Sequence, residues 1–185
     1  MIPLRRKHDP HALAVGMAGT RLGDRFVQIG CADGGRLAAI AATVGLSGRA
    51  VVVVNDAAAA TRAEKGARAQ GVHLEIETGT PEATGLDGDA ADLVLIDDTA
   101  GAFTAMTDDA RTAALREALR LLRPGGRAMV VGTTGQSGWT AFISRASRTI
   151  SVDARPLFEA AGFRATRVLG EREGLIFVEG AKARA

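Results

Sequence analysis

The sequence predicts an α/β fold, a doubly wound and mostly parallel sheet with helices on both faces, and three observations predict it. Apolar runs of strand length, at residues 26–29, 50–54, 93–96 and 128–131, alternate with stretches of helical character. The first three runs end in Gly30-Cys-Ala-Asp, Asn55-Asp56 and Asp97-Asp98, which gathers polar turns at the carboxyl end of the sheet. Two strand-like stretches near the end, 164–169 and 175–179, flank a polar turn and predict an antiparallel pair.

Residues 1–23 read as an irregular arm. Pro3, Pro10, Gly16, Gly19 and Gly23 leave room for one short helical turn around 11–17, and the arm could cover a site on the domain that follows, residues 24–185. Phe26, Val27 and Ile29 then supply the first strand, Gly30 to Gly35 a tight turn, and Leu37, Ile40 and Ala41 the inner stripe of a helix. A strand that enters a helix through glycines presents free backbone N–H groups at the mouth of the turn. The four valines at 51–54 suit a strand covered on both faces. Alanine-rich residues 57–70 predict a helix that stops where Gly71 can take a left-handed conformation. Residues 72–77 alternate apolar and polar, as an edge strand does.

Residues 78–90 are broken by Gly79, Pro81, Gly85 and Gly88 and predict no long helix. After the buried strand at 93–96, Ala110, Ala114, Leu115, Ala118, Leu119 and Leu122 recur at helical spacing within 107–122. Arg123-Pro-Gly-Gly is expected to close that helix and turn the chain into the strand at 128–131. Residues 133–150 have little periodicity, and Trp139 and Phe142 there read as packing residues or as the lining of an acceptor pocket. A last helix at 152–161 leads into the terminal pair, so the chain reads as five strand-helix units and a hairpin.

Composition narrows the function. The 185 residues carry 23 basic and 21 acidic side chains, a net +2 that is too balanced for a nucleic-acid footprint, and Arg5-Arg6-Lys7 suits a solvated tail. Aromatics at 4% with no tyrosine leave few rings for base stacking. A single cysteine excludes an internal disulfide framework, and without a signal-like or long apolar stretch the expectation is a cytoplasmic protein with no membrane anchor.

The turn chemistry bears on the ligand. Gly30-x-Ala32-x-x-Gly35 has the spacing of a dinucleotide fingerprint, but alanine replaces the middle glycine that lets the backbone approach a pyrophosphate. Asp33 in the turn would repel a diphosphate and suits a positively charged ligand. With Asp56, Asp97 and Asp98 at other strand ends, the crevice reads as acidic. It favours a cation that carries a ribose, as S-adenosylmethionine does with its sulfonium, ammonium and diol.

Four segments then occur in order: Val27-Gln-Ile-Gly-Cys-Ala-Asp-Gly, Ala91-Asp-Leu-Val-Leu-Ile-Asp, the stretch 115–131 containing Leu-Leu-Arg-Pro-Gly-Gly-Arg, and Phe158-Glu-Ala-Ala-Gly-Phe. Together they resemble the class I S-adenosylmethionine-dependent methyltransferases, a Rossmann-like superfamily, over roughly residues 20–180. The resemblance implies a seven-stranded sheet with an antiparallel last strand, S-adenosylmethionine as cofactor, and in-line methyl transfer to a small-molecule acceptor. By position it implies that Gly30, Cys31, Ala32 and Gly34 lie under the methionine portion and that the end of the second strand, Asn55 or Asp56, holds the ribose hydroxyls. Gln28, Ala32, Asn55 and Thr80 stand where the family often has an acid, a glycine, the ribose-binding acid and an acid beside the adenine.

Several residues keep two readings. Gly30 and Gly34 either cradle the ligand or permit close packing, and Asp33 and Asp56 either cap the helices they precede or touch the ligand. Cys31 reads as a small buried residue. Asp97 is the candidate general base, should the acceptor have to lose a proton, and Asp98 reads equally as solvated. Asp97-Asp98-Thr99 lacks the second spaced acid of a metal-dependent site, so no metal is predicted. His8, His11 and His73 are scattered and read as surface or structural. The departures at Gln28, Ala32, Asn55 and Thr80 keep open a non-catalytic methyltransferase-like domain that binds a partner. The glycine spacing keeps open an NAD(P)-dependent oxidoreductase.

Overall fold

The computed structural model describes residues 9–134 and 154–184. In chain order the elements are α1 (Ala12–Ala18), β1 (Arg25–Ile29), α2 (Gly34–Val44), β2 (Arg49–Val54), α3 (Ala57–Gln70) and β3 (Glu75–Thr78). They are followed by β4 (Ala91–Asp98), α4 (Asp108–Leu121), β5 (Leu122–Thr133), α5 (Ala154–Ala161), β6 (Arg164–Arg172) and β7 (Leu175–Ala181). The seven strands form one sheet in the order β3-β2-β1-β4-β5-β7-β6. β1 runs parallel to both β2 and β4, β5 runs parallel to β4, and β7 is antiparallel to both β5 and β6. The last strand alone is therefore reversed.

Strand alternation sorts the core into two layers. Val27, Ile29, Val53, Val94, Ile96 and Val130 pack with Leu115 and Leu121 of α4 and Phe158 of α5. Phe26, Val52, Leu93, Leu95 and Met129 face the other way, onto Leu37 and Ile40 of α2, Ala63 of α3 and Ala14 and Ala18 of α1. The described part of the arm is thus a core element, with α1 laid across α2.

Local signals placed the helices closely. Asp56 caps α3 by accepting from the Ala59 N–H at 2.7 Å, and Gly71 ends it in a left-handed conformation at φ +65°. Thr107 caps α4, and β3 lies at the sheet edge, though it starts at Glu75 rather than 72.

Two expectations are corrected. The count of five strand-helix units fails at β3, which is followed by a helix-free connection, residues 79–90, as the glycines and Pro81 there dictate. Arg123-Pro-Gly-Gly does not separate α4 from β5. Leu122 already pairs with Ala91, Arg127 pairs with Leu93, and the intervening residues bulge out opposite Asp92, whose carboxylate accepts from Arg123 Nε and from the Arg25 N–H. Trp139, Phe142 and most of the 133–150 segment lie outside the described residues. Among the described residues, no helix is long and apolar enough to cross a membrane.

Candidate cofactor and active site

The strand order reverses at β1, which has β2 on one side and β4 on the other, and a crevice opens there beyond the carboxyl ends. It is a pocket of about 250 Å³, walled by Ile29, Val53, Ile96, Phe103 and Met106 and edged by Gly30, Asn55, Thr80, Glu82 and Asp97. A hollow of about 340 Å³ lies at the amino ends of the strands, near Ser47 and Asp87, and none of the predicted site residues borders it. Period-two alternation explains which residues reach the pocket: Ile29, Val53 and Ile96 share the α4 face, whereas Gln28 is buried on the α2 face.

The turn after β1 is tied down at nearly every residue. Gly30 has φ +80°, a conformation that favours glycine, and its N–H donates to the Val53 carbonyl at 2.8 Å. Its carbonyl accepts from Gln28 Nε2 at 2.9 Å. The Cys31 carbonyl accepts from Arg62 Nε at 2.8 Å, and the Ala32 N–H donates to Asp97 Oδ2 at 2.9 Å. Gln28 therefore shapes the turn from behind and does not line the pocket. Burial pushes the Cys31 thiol up to about 11, with the nearby Asp97 carboxylate adding to the effect, so the residue is an inert packing thiol.

The glycines divide between the two readings. A Cβ on Gly30 would meet the Asp97 carbonyl oxygen at 3.4 Å, beside the pocket. Gly34 belongs to α2 rather than to the loop, and a Cβ there would lie 2.0 Å from the Arg62 carbonyl oxygen of α3. Gly34 is needed for helix-helix contact.

The acids are engaged by the protein as well: of the four strand-end and turn acids Asp97 alone borders the pocket, joined there by Glu82. Asp33 caps α2, accepting from the N–H groups of Gly35 at 2.9 Å and Arg36 at 3.1 Å, and Asp56 caps α3. Because Asp33 fills the α2 N-terminus, those amides are not free for a pyrophosphate, which weighs against a dinucleotide. Asp98, read as equally solvated, is 2% exposed and accepts from the Thr104 N–H at 3.0 Å, folding the 99–107 loop over the pocket. Asp97 has a fully buried side chain. Arg36 Nη2 donates to its two oxygens at 2.9 and 3.1 Å, and Thr99 donates to Oδ1 through N–H at 3.1 Å and Oγ1 at 2.7 Å. Its negative charge is met by a guanidinium, and its lone pairs are occupied.

Three contributors were missed in the sequence. Arg36 lies four residues before Ile40 and eight before Val44, on the buried stripe of α2, and a charge on that stripe was the available signal. Arg62, on α3, gave no signal, since its partner is a backbone carbonyl far away in sequence. Glu82, just beyond Thr80 and Pro81, places a carboxylate on the pocket rim close to the position where Thr80 replaces an acid. From the arm, His11 sits over Gly35, its Nδ1 4.0 Å from Asp33 Oδ2. Among the described residues, no cluster of three or more His, Cys, Asp or Glu residues is arranged to hold a metal.

A family model described as a methyltransferase domain matches residues 26–126, from β1 through the bulge of β5. The chain belongs to the methyltransferase domain family. It is accordingly a methyltransferase with S-adenosylmethionine as its cofactor. Among solved structures, the YcgJ protein from Bacillus subtilis shares 16% identity at a TM-score of 0.69, over 94% of this chain and 97% of that one. A SAM dependent methyltransferase from Aquifex aeolicus shares 14% at 0.72, over 94% and 93%. PigF with SAH shares 18% at 0.67, over 91% of this chain and 54% of that one. At these identities the likeness is one of fold. A comparison with curated proteins finds no match.

The residues present fit the cofactor of the family. Apolar side chains and the polar groups of Asn55, Thr80 and Glu82 line the pocket together, and Gly30, which has no Cβ, borders it.

Proposed function

We propose that the pocket takes the adenosine portion of S-adenosylmethionine and that the methyl group passes to a small-molecule acceptor at the ends of β1 and β4. The observation that carries this reading is the coincidence, at one switch point, of an apolar slot with the glycine turn of β1 and the polar end of β2. In it, Asn55 bonds the ribose hydroxyls in place of an acid, and Thr80 and Glu82 meet the polar edge of the adenine. Ile29, Val53, Ile96 and Phe103 hold the base, and Gly30 lets the backbone lie close beneath the methionine portion.

The cofactor supplies a methyl group already activated on a sulfonium. The chain's own part is to align the two reactants and keep water out, which together can supply up to roughly 7–11 kcal/mol of a barrier. Asp97 acts here as a positioning group and not as a base: its five hydrogen bonds lock the glycine turn, the first turn of α2 and Thr99 to the end of β4. A small acceptor is supported by the shortness of the 99–107 loop, which Asp98 holds down, and by the compactness of the arm's helix α1, whose preceding His11 lies beside Asp33 and Gly35 at the start of α2.

Titration calorimetry with S-adenosylmethionine and S-adenosylhomocysteine tests the site. Binding is expected, weakened about tenfold by Asn55→Ala through loss of a hydrogen-bonded hydroxyl contact. No binding of either at millimolar concentration would overturn the reading. A screen of acceptors with labelled methyl then reads the substrate class, with transfer to a small molecule as the expected result.

A further inference from the structure

The outer wall of the pocket is the connection from β3 to β4, which carries Thr80 and Glu82 and has no helix to stiffen it. Its own internal support is an antiparallel bridge between Thr80 and Ala83 and a long hydrogen bond from the Leu86 N–H to Thr84 Oγ1 at 3.4 Å. The brace comes from α4, on the far side of this wall. Glu117, 8% exposed, accepts from the Thr84 N–H at 3.0 Å and Thr84 Oγ1 at 2.5 Å, while Arg120 donates to it through Nε and Nη2, each at 2.7 Å. Arg120 Nη2 also donates to the Leu86 carbonyl at 2.7 Å. One turn of α4 thus grips two points of the connection just after Glu82.

A carboxylate is buried only where strong partners offset its desolvation, and a pair made merely to support a helix could stay in water. Here Thr84, itself 2% exposed, supplies two of the four bonds, so the carboxylate is buried in order to hold the loop. The Arg120 guanidinium and Thr84 keep the Glu117 carboxyl down at about 2, so the grip persists across the physiological range.

We propose that Glu117 is a positioning residue for the cofactor: with Arg120 it clamps the β3–β4 connection so that Thr80 and Glu82 face the pocket. This rests on the reading of that pocket as the adenosine site.

Glu117→Gln tests the clamp, with Glu179→Gln as its control. Glu179 is another buried carboxylate held by two arginines, Arg127 at 3.1 Å and Arg167 at 2.8 Å, but it lies in β7 and outside the pocket. Hydrogen exchange of the amides in 79–86 is expected to quicken about tenfold in Glu117→Gln and to stay unchanged in Glu179→Gln. The dissociation constant for S-adenosylhomocysteine should rise about tenfold in the first variant and not in the second, though both lose stability. Equal effects of the two variants, or unchanged exchange in 79–86, would overturn the clamp. Failure of the wild-type chain to bind would overturn the cofactor reading and the binding half of this proposal, while exchange would still decide the clamp without any ligand.

Discussion

Gly34 and Gly66 meet where α2 crosses α3. A Cβ on either would lie 2.0 Å from a carbonyl oxygen of the facing helix, Arg62 for Gly34 and Gly34 for Gly66. Gly34→Ala should therefore push the helices apart and cost about 1–3 kcal/mol, read as a lowered midpoint in thermal unfolding. Its sequence carried both readings, cradle and packing, because a glycine looks the same in either role until its neighbour is known. Arg36 is a similar case: in the first turn of a helix an arginine opposes the dipole, and its place on the apolar stripe signals burial without naming the partners that hold it, Asp97 and Thr99. Replacing it by methionine would leave Asp97 buried without its counter-charge, at about 3–5 kcal/mol in urea unfolding.

Elements were read most closely where their signals are local. A run of alanines, a capping Asp56 and a terminating Gly71 bound α3 within the chain's own neighbouring residues. Asp56→Ala should cost about 1 kcal/mol of stability while leaving S-adenosylhomocysteine affinity unchanged, because its carboxylate is engaged with the Ala59 N–H. Chemical denaturation and calorimetry on the one variant separate the two quantities, and a loss of affinity would return Asp56 to the ribose site. Non-local pairing misled the reading of β5. Leu122 is drawn into the sheet by Ala91, and the Pro-Gly-Gly turn that looked like a separator is looped out of the strand. The break of the strand-helix rhythm after β3 was legible in Pro81 and the glycines, but what braces that connection was not, since Glu117 and Thr84 are far apart in sequence.

At the scale of the whole molecule, two buried groups contribute to the pH dependence of stability, one at its acid end and one at its alkaline end. The Glu117 carboxyl falls from an ordinary 4.5 to about 2 on folding, because Arg120 and Thr84 bond its charged form. Its contribution is complete above the unfolded value near 4.5 and is lost as pH falls through that value toward about 2. The Cys31 thiol rises from 9.0 to about 11, so its contribution is complete below about 9 and is lost as pH climbs toward 11. Urea unfolding across pH should show a plateau between these limits, and Glu117→Gln should flatten the acid limb relative to the wild type.

The resemblance to the methyltransferase family was carried by four ordered segments, while the alternation of strands and helices and the antiparallel terminal pair were legible in local patterning. They depend on periodicity, caps and turns, which act between residues close along the chain. Folding decided what the acids do. Asp33, Asp56, Asp97 and Asp98 look alike in the sequence, yet only Asp97 borders the pocket, and each meets a donor brought by its own or a distant segment: the α2 amides, the Ala59 N–H, Arg36, and Thr104. A carboxylate's charge is legible in one dimension, whereas the partner that neutralises or occupies it is set by contacts in three.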